Sequence, residues 1–300
     1  MKYTLSKNQL KIDTAGLYEK KTIEDFLDDY HQSKKNKYLL LQKKRILLDD
    51  VPVRDVHTPI EHHALTLLLN EEQPDWKPAE EPCQIVYEDA FLYIVHKEPG
   101  TIIHGDPDDT DCLNAQASRY QLLHEIHAPV RPIHRLDKDT SGLVLYSKIP
   151  FFQPWFDDQL AEKKIARKYL AVCYGHPKVD QVFTCRKPIG RDRHVSNKYR
   201  ISPTGQSACT HVKCLAVQND LCLFQCELET GRTHQIRVHL SDLGYPIVND
   251  RLYGSPCQDF SNMGLWAYEI VFRDPITHKK HKIHDLPNKE FTHFLTGGKL

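Results

Sequence analysis

Apolar and polar positions divide the chain into a helical start and a strand-rich remainder. The first twenty residues carry no strong period and read as an extended lead-in. Behind Thr22, a helix-capping residue type, Ile23, Phe26, Leu27 and Tyr30 recur at i, i+3, i+4 and i+7, which predicts a helix to about His31. A second helix is expected around residues 36–44, with Tyr38, Leu39 and Leu41 above its basic positions. Ile46, Leu47 and Leu48, a turn at Asp49 and Asp50, then Val51, Pro52 and Val53 read as a short hairpin. Residues 71–82 are rich in proline and acid and have no period, the composition of a linker.

Beyond residue 82 strands dominate. Ile85 to Tyr87 and Leu92 to Val95 flank a turn at Glu88 and Asp89. Leu113, Ala117 and Tyr120, with Leu122 or Leu123, mark one helix face. Phe152, Trp155, Phe156 and Leu160 mark another, where Pro154 is tolerable only in the first turn. Strands are expected over 169–174, 210–217 and 221–229. In the last, Cys222, Phe224, Cys226 and Leu228 alternate with Leu221, Leu223, Gln225 and Glu227, one buried and one half-exposed face. After Thr230 and Gly231 comes a helix with Ile236, Leu240 and Leu243 on one face and Gly244 as its stop. A closing strand covers 265–272. Strands interleaved with helices that return to one sheet predict an α+β domain.

Charge and cysteine usage narrow the classes. Forty basic and forty acidic residues cancel, so no global field draws the chain to nucleic acid. Two local stripes remain: residues 31–45 hold basic residues and no acid, and residues 186–200 hold Asp192 among Arg186, Lys187, Arg191, Arg193, Lys198 and Arg200. Such stripes suit a phosphate backbone, or are plain solvated faces. Nine cysteines without a Cys-x-x-Cys pair, and no apolar leader, predict a reduced, cytoplasmic protein. Cys222 and Cys226 share a strand face, but no pair has the close spacing of zinc ligands, so no metal is expected. No run approaches the roughly 18 apolar residues of a membrane span, so the protein is expected to be soluble.

The chemistry centres on Asp137. With Thr140, Ser141 and Gly142 behind it and the apolar run 143–146 next, it reads as a tight loop opening into a buried strand. Taken bare, such a cluster is as readily a satisfied turn. It does not stand alone. His134-Arg135-Leu136-Asp137-Lys138-Asp139-Thr140-Ser141-Gly142 resembles the signature of the RluA-type pseudouridine synthases. Val95 to His104 resembles that family's first block, and Arg167-Lys168-Tyr169-Leu170-Ala171 its tyrosine block. Residues 231–240 resemble its third block, continuing through 244–250 and Tyr253-Gly254. Four blocks in order span most of residues 83–275.

The resemblance implies a catalytic domain over 83–300 with a mixed, mainly antiparallel sheet, flanking helices and an RNA cleft across its middle. Residues 1–70 resemble the αL, ribosomal-protein-type RNA-binding module in degenerate form, since Asp49-Asp50 stands where Asn-Gly is usual. The implied reaction isomerises uridine to pseudouridine in structured ribosomal or transfer RNA. A carbon–nitrogen bond breaks, the uracil turns, and it rejoins through carbon 5, with no cofactor. Asp137, Tyr169 and Arg237 are the implied catalytic set, and Arg135, His134, Lys168 and Arg232 the implied substrate-binding set. Burial alone would neutralise an aspartate, so a cation partner is required, and Arg237 is the implied one. Arg135 is placed to fill the gap left by a flipped base, while His134, Thr140, Arg232 and His234 are expected to shape loops rather than do chemistry. Glu98-Pro99 and Trp266 depart from common family residues and bear on substrate choice. A monomer with no obligate protein partner fits a cleft enzyme.

Three rivals remain. A kinase is excluded by motif order and the absence of Asp-Phe-Gly. A binding-only RNA protein and a uridine hydrolase are left to experiment.

Overall fold

The computed structural model describes residues 1–294 except 7, 15–17, 19, 62, 70 and 71. Its first residues are not a lead-in. β1 (Lys2–Ser6) and β2 (Gln9–Asp13) pair antiparallel, with Leu10 and Ile12 buried on one face of β2. Five-residue strands are too short for a strong period, yet their alternation suffices once a neighbour covers that face. α1 (Ile23–Asp29) starts where the pattern places it, with Thr22 and Asp25 forming a reciprocal capping box. α2 (Lys34–Gln42) starts two residues before the expected position because Ser33 accepts from the Asn36 N–H. β3 (Ile46–Leu48) and β4 (Val51–Pro52) form the expected hairpin, and Asp49 and Asp50 take the left-handed φ of 46° and 65° that turns it. β5 (Leu65–Leu68) joins β2 to β3, giving the order β1-β2-β5-β3-β4. Leu65, Thr66 and Leu67 are all buried, so no alternation advertised that strand.

This small sheet with two helices rests on the larger part. Phe26 stacks on Phe151 at 6.0 Å, Tyr30 donates to the Pro275 carbonyl at 3.0 Å, and Gln32 donates to the Phe151 carbonyl at 2.8 Å. The described residues of the expected linker form neither helix nor strand, but they are strapped down. Lys77 N–H donates to Pro107, Ala79 N–H to Ala115, and Ser118 Oγ to the Trp76 carbonyl. The paired backbone explains how a segment with no period is still ordered.

The larger part follows as β6 (Gln84–Glu88), β7 (Leu92–Lys97), α3 (Leu113–Leu123), β8 (Arg131–Pro132), β9 (Ser141–Ser147), α4 (Gln153–Ala161) and β10 (Ala166–Tyr174). Next come β11 (Val182–Cys185), β12 (Ile189–Arg191), β13 (Tyr199–Ile201), β14 (Thr210–Gln218), β15 (Leu221–Leu228) and α5 (Gln235–Asp242). β16 (Leu265–Arg273), β17 (Lys280–His284) and α6 (Lys289–Thr292) complete it. The main sheet runs β11-β14-β15-β10-β16-β9-β7-β6, with β17 on β16 and β8 on β9. It is mixed and mainly antiparallel, the expected class; among the described strands only β9 and β16 pair in parallel. The strand over 265–272 therefore lies at the sheet's centre, and β17 follows it. Gly142 marks the junction: its φ is 110°, and a Cβ there would collide with the Ala267 carbonyl. Cys222 and Cys226 lie in the apolar core with Phe224, Ile236 and Leu240. Among the described residues no helix is long and apolar enough to cross a membrane.

Candidate active site

The loop leading into β9 is fixed at its backbone first. The Lys138 carbonyl accepts from Lys97 Nζ at 2.7 Å and from the Gly100 N–H at 2.9 Å. Lys97 Nζ also donates to the carbonyls of Glu98 at 2.9 Å and Thr101 at 2.8 Å, so its three hydrogens are all used. The side chain is fully buried, and burial pushes its pKa down to about 8 against the opposing charges of Asp139, Asp137 and Glu98. Thr140 N–H donates to the Asp137 carbonyl, which closes the turn and leaves the carboxylate at the loop's apex.

That carboxylate meets α5. Arg237 spends two nitrogens on Asp250, Nε to Oδ2 at 2.7 Å and Nη2 to Oδ1 at 2.8 Å, and turns Nη1 to Asp137 Oδ2 at 3.1 Å. The Asp250 side chain is 0% exposed, Arg237 7% and Asp137 24%, so the two structural members are sealed and the third faces outward. Asp250 Oδ1 also accepts the N–H groups of Leu252 and Tyr253. Burial works against the guanidinium charge, but the Asp250 hydrogen bonds and charge, with Asp137 behind them, outweigh it and raise the Arg237 pKa. A planar fork suits this division of labour, one edge for each carboxylate. Among the described residues no donor is bound to Asp137 Oδ1.

Tyr253 forms the floor beneath the clamp. The Arg237 guanidinium sits 5.1 Å from its ring centroid. Its hydroxyl accepts the Tyr199 N–H at 2.7 Å and pairs with His234 Nδ1 at 2.9 Å. The other ring nitrogen, Nε2, faces Asp137 Oδ2 at 3.9 Å. Burial holds the His234 pKa below its ordinary value, with Asp137 opposing and Arg237 reinforcing.

A cavity of about 880 Å³ opens over Asp137 and is lined by His134, Arg135, Arg167, Tyr169, Arg232 and Arg237 among others. Tyr169 is 4% exposed, and burial raises its pKa, Arg167 opposing and the Asp137 charge adding to it. Arg135 is exposed at the rim. Arg232 Nε donates to the Ser207 carbonyl at 3.0 Å, which holds the loop before α5. His134 is buried: its Nε2 accepts the Leu145 N–H at 3.4 Å, and burial, with Arg167 nearby, pushes its pKa down to about 3. Lys168 is not brought into the cavity. Alternation along β10 turns it to the other face, where it pairs with Glu269 at 3.1 Å. The residues without a role in the sequence reading are Asp250, Lys97, Arg167 and Tyr253. Arg167 lines the cavity at 9% exposure with its Nε unpaired.

With this geometry in place, comparison with known proteins is decisive. The family described as RNA pseudouridylate synthase matches residues 92–242, about half of the chain. This chain belongs to the RluA-type RNA pseudouridine synthases. The protein named uncharacterized RNA pseudouridine synthase YhcT of Bacillus subtilis is 40% identical over 197 residues, 64% of this chain and 65% of that protein. The chain thus spans slightly less than two thirds of that relative's length. The ribosomal large subunit pseudouridine synthase D of Vibrio vulnificus is 30% identical over 301 residues, 92% of this chain and 89% of its own. The human RNA pseudouridylate synthase domain containing 1 structure superposes with a TM-score of 0.57 at 22% identity, covering 69% of this chain and 84% of that one. That likeness speaks to the fold, the family's mixed sheet.

Proposed function

We propose that the protein isomerises uridines in structured RNA to pseudouridine, with Asp137 as the attacking carboxylate. The observation that carries this reading is the Asp137–Arg237–Asp250 arrangement: Arg237 fixes one oxygen of Asp137, and the other has no donor among the described residues and borders an 880 Å³ cavity. The flipped nucleotide lies against Tyr169, Arg135 takes the place it vacates, and Arg167 adds positive charge to the cavity wall. Tyr169 is a neutral phenol at physiological pH, so it takes the carbon-5 proton only as it passes its own O–H proton to water in the cavity. Arg232 and His134 act on the substrate through the loops they hold, while Lys168, paired with Glu269 on the other face, holds β10 to its neighbours.

Residues 83–300 are read as the catalytic domain and 1–70 as an RNA-binding-type module. Lys37 of that module is buried against Asp28 and Glu24, which blunts its basic stripe. The substrate class we favour is ribosomal RNA of the large subunit, after the Vibrio relative's name, with transfer RNA as the alternative. The nine free thiols support a reducing, cytoplasmic setting. The test maps pseudouridines across ribosomal and transfer RNA from cells with and without the gene, complemented by wild type or Asp137→Asn. Sites lost and restored only by wild type support the reading. Sites restored equally by Asp137→Asn favour a binding protein, and release of free uracil by the purified protein a hydrolase.

A further inference from the structure

Where β14 begins and β15 ends, at the edge of the cleft that Glu229 also lines, three side chains of different chemistry converge on one point. Cys209 and His211 lie two apart along one strand direction, and Glu229 follows the end of β15 opposite Cys209. Cys209 Sγ, His211 Nε2 and a Glu229 carboxylate oxygen all lie within 4.8 Å of one another. His211 Nε2 is 2.6 Å from Glu229 Oε1 and 3.8 Å from Cys209 Sγ. Thiolate, imidazole and carboxylate are the three ligand types that zinc takes. We propose that Cys209, His211 and Glu229 form a binding site for one divalent transition-metal ion of the Zn²⁺ class, distinct from the pseudouridine chemistry.

The surroundings are built for this role. Thr184 on the neighbouring strand places Oγ1 3.1 Å from His211 Nδ1, so it can accept that nitrogen's proton and free Nε2 for the ion. Lys163 holds Glu229 Oε2 at 2.9 Å, which leaves Oε1 for the ion and displaces only the looser Arg186 contact at 3.6 Å. The strand ends are pinned by Glu229 N–H to the Cys209 carbonyl and by Cys209 N–H to Thr230 Oγ1. Around a tetrahedral ion with bonds of about 2.0–2.3 Å, donor atoms sit roughly 3.4–3.6 Å apart. The Cys209–His211 distance is close to that already, and the His211–Glu229 pair opens by about 0.8 Å on the same scale. Binding releases the thiol proton to solvent and moves the ring proton from Nε2 to Nδ1. The fourth position is open to water. Because Cys209 and Thr230 both bond to Gln235 in the first turn of α5, the ion braces the helix that carries Arg237.

The full chain, stripped with a chelator, is titrated with Co²⁺ and then Zn²⁺. The expected result is one equivalent of Co²⁺ with tetrahedral d–d bands and a thiolate-to-cobalt charge-transfer band, both removed by one equivalent of Zn²⁺. Cys209→Ser loses the charge-transfer band, Cys257→Ser keeps it, and Thr184→Val, which retains all three donors, weakens binding about tenfold. Glu229→Gln, at a partly exposed position, reads the same site should Cys209→Ser fail to fold. A charge-transfer band that survives Cys209→Ser, one lost in Cys257→Ser, or no band at one equivalent overturns the assignment.

Discussion

Two buried cations hold the Asp137 loop, Arg237 by its side chain and Lys97 by its backbone, and they solve the problem of a buried charge differently. Arg237 is surrounded by formal charge: the sealed Asp250 carboxylate neutralises it, and the Asp137 contact is what remains to spend. Lys97 has no carboxylate within bonding distance among the described residues and is satisfied by three carbonyl dipoles, on Glu98, Thr101 and Lys138. The difference separates two jobs. A charge pair can orient a reacting oxygen, whereas a three-carbonyl anchor can only fix where the chain runs. The first should matter to chemistry beyond its effect on stability, the second only through the fold.

The strongest test removes the group that both cations serve. Asp137→Asn is isosteric and leaves the Arg237–Asp250 pair intact, so turnover is expected to fall by about 10⁴-fold or more while thermal unfolding shifts little. Single-turnover assay and a melting curve on the same preparation check it. If activity survives, Asp137 is not the attacking group.

Arg237→Met strands Asp250, a fully buried carboxylate, and is expected to cost about 3–5 kcal/mol. Replacing both, Arg237→Met with Asp250→Leu, removes the stranded charge and is expected to recover most of that stability but none of the activity. Urea midpoints of the two variants, set beside their turnover, check it. Activity returning with stability would make Arg237 a mere support and collapse the distinction from Lys97.

Lys97→Met orphans the Glu98 and Thr101 carbonyls and takes one of its two donors from the Lys138 carbonyl on the Asp137 loop. The loss is expected at about 2–4 kcal/mol, the cost of unmade buried hydrogen bonds less the relief of not burying an ammonium. Activity measured well below the variant's unfolding temperature should fall far less than for Arg237→Met.

How much of this was legible in the sequence follows the same division. Asp137 and Arg237 stood out because both lie in stretches that resemble the family's blocks, and a buried carboxylate needs a cation partner. Lys97 lies in the first block too but drew no role, since a lysine just beyond the apolar run 92–95 looks like a solvated strand end, and only the loop folded over it buries the ammonium. Asp250 lay in a matching stretch yet is thirteen residues from Arg237, and no local pattern reports a pairing made by packing. Lys168 shows the converse. Its motif suggested the cleft, but the strand, expected from residue 169, begins at Ala166, and its alternation turns Arg167 and Tyr169 to the cavity and Lys168 away. Of the fold, the helices of the N-terminal module and the central strands were readable from periodicity. β1, β2 and β5 were not, being short or buried on both faces.

The smallest effect concerns the wall behind the loop. His134 is buried neutral, accepting the Leu145 N–H, with a pKa of about 3 against 6.5 in the open chain. Between those values the unfolded chain takes up a proton that the folded chain refuses, so acid favours unfolding. The stability that neutral His134 contributes is present above pH 6.5 and is lost as pH falls toward 3, at up to about 1.4 kcal/mol per pH unit. Carboxylates titrate over the same range, so the measurement is a difference: urea midpoints of wild type and His134→Asn at pH 7, 6 and 5. Wild type is expected to lose about 1–2 kcal/mol more than the variant between pH 6.5 and 5. Parallel slopes would mean that the imidazole is protonated in the folded state, where the nearby Arg167 guanidinium and the Leu145 N–H both oppose it, and the wall would have to open to admit the charge.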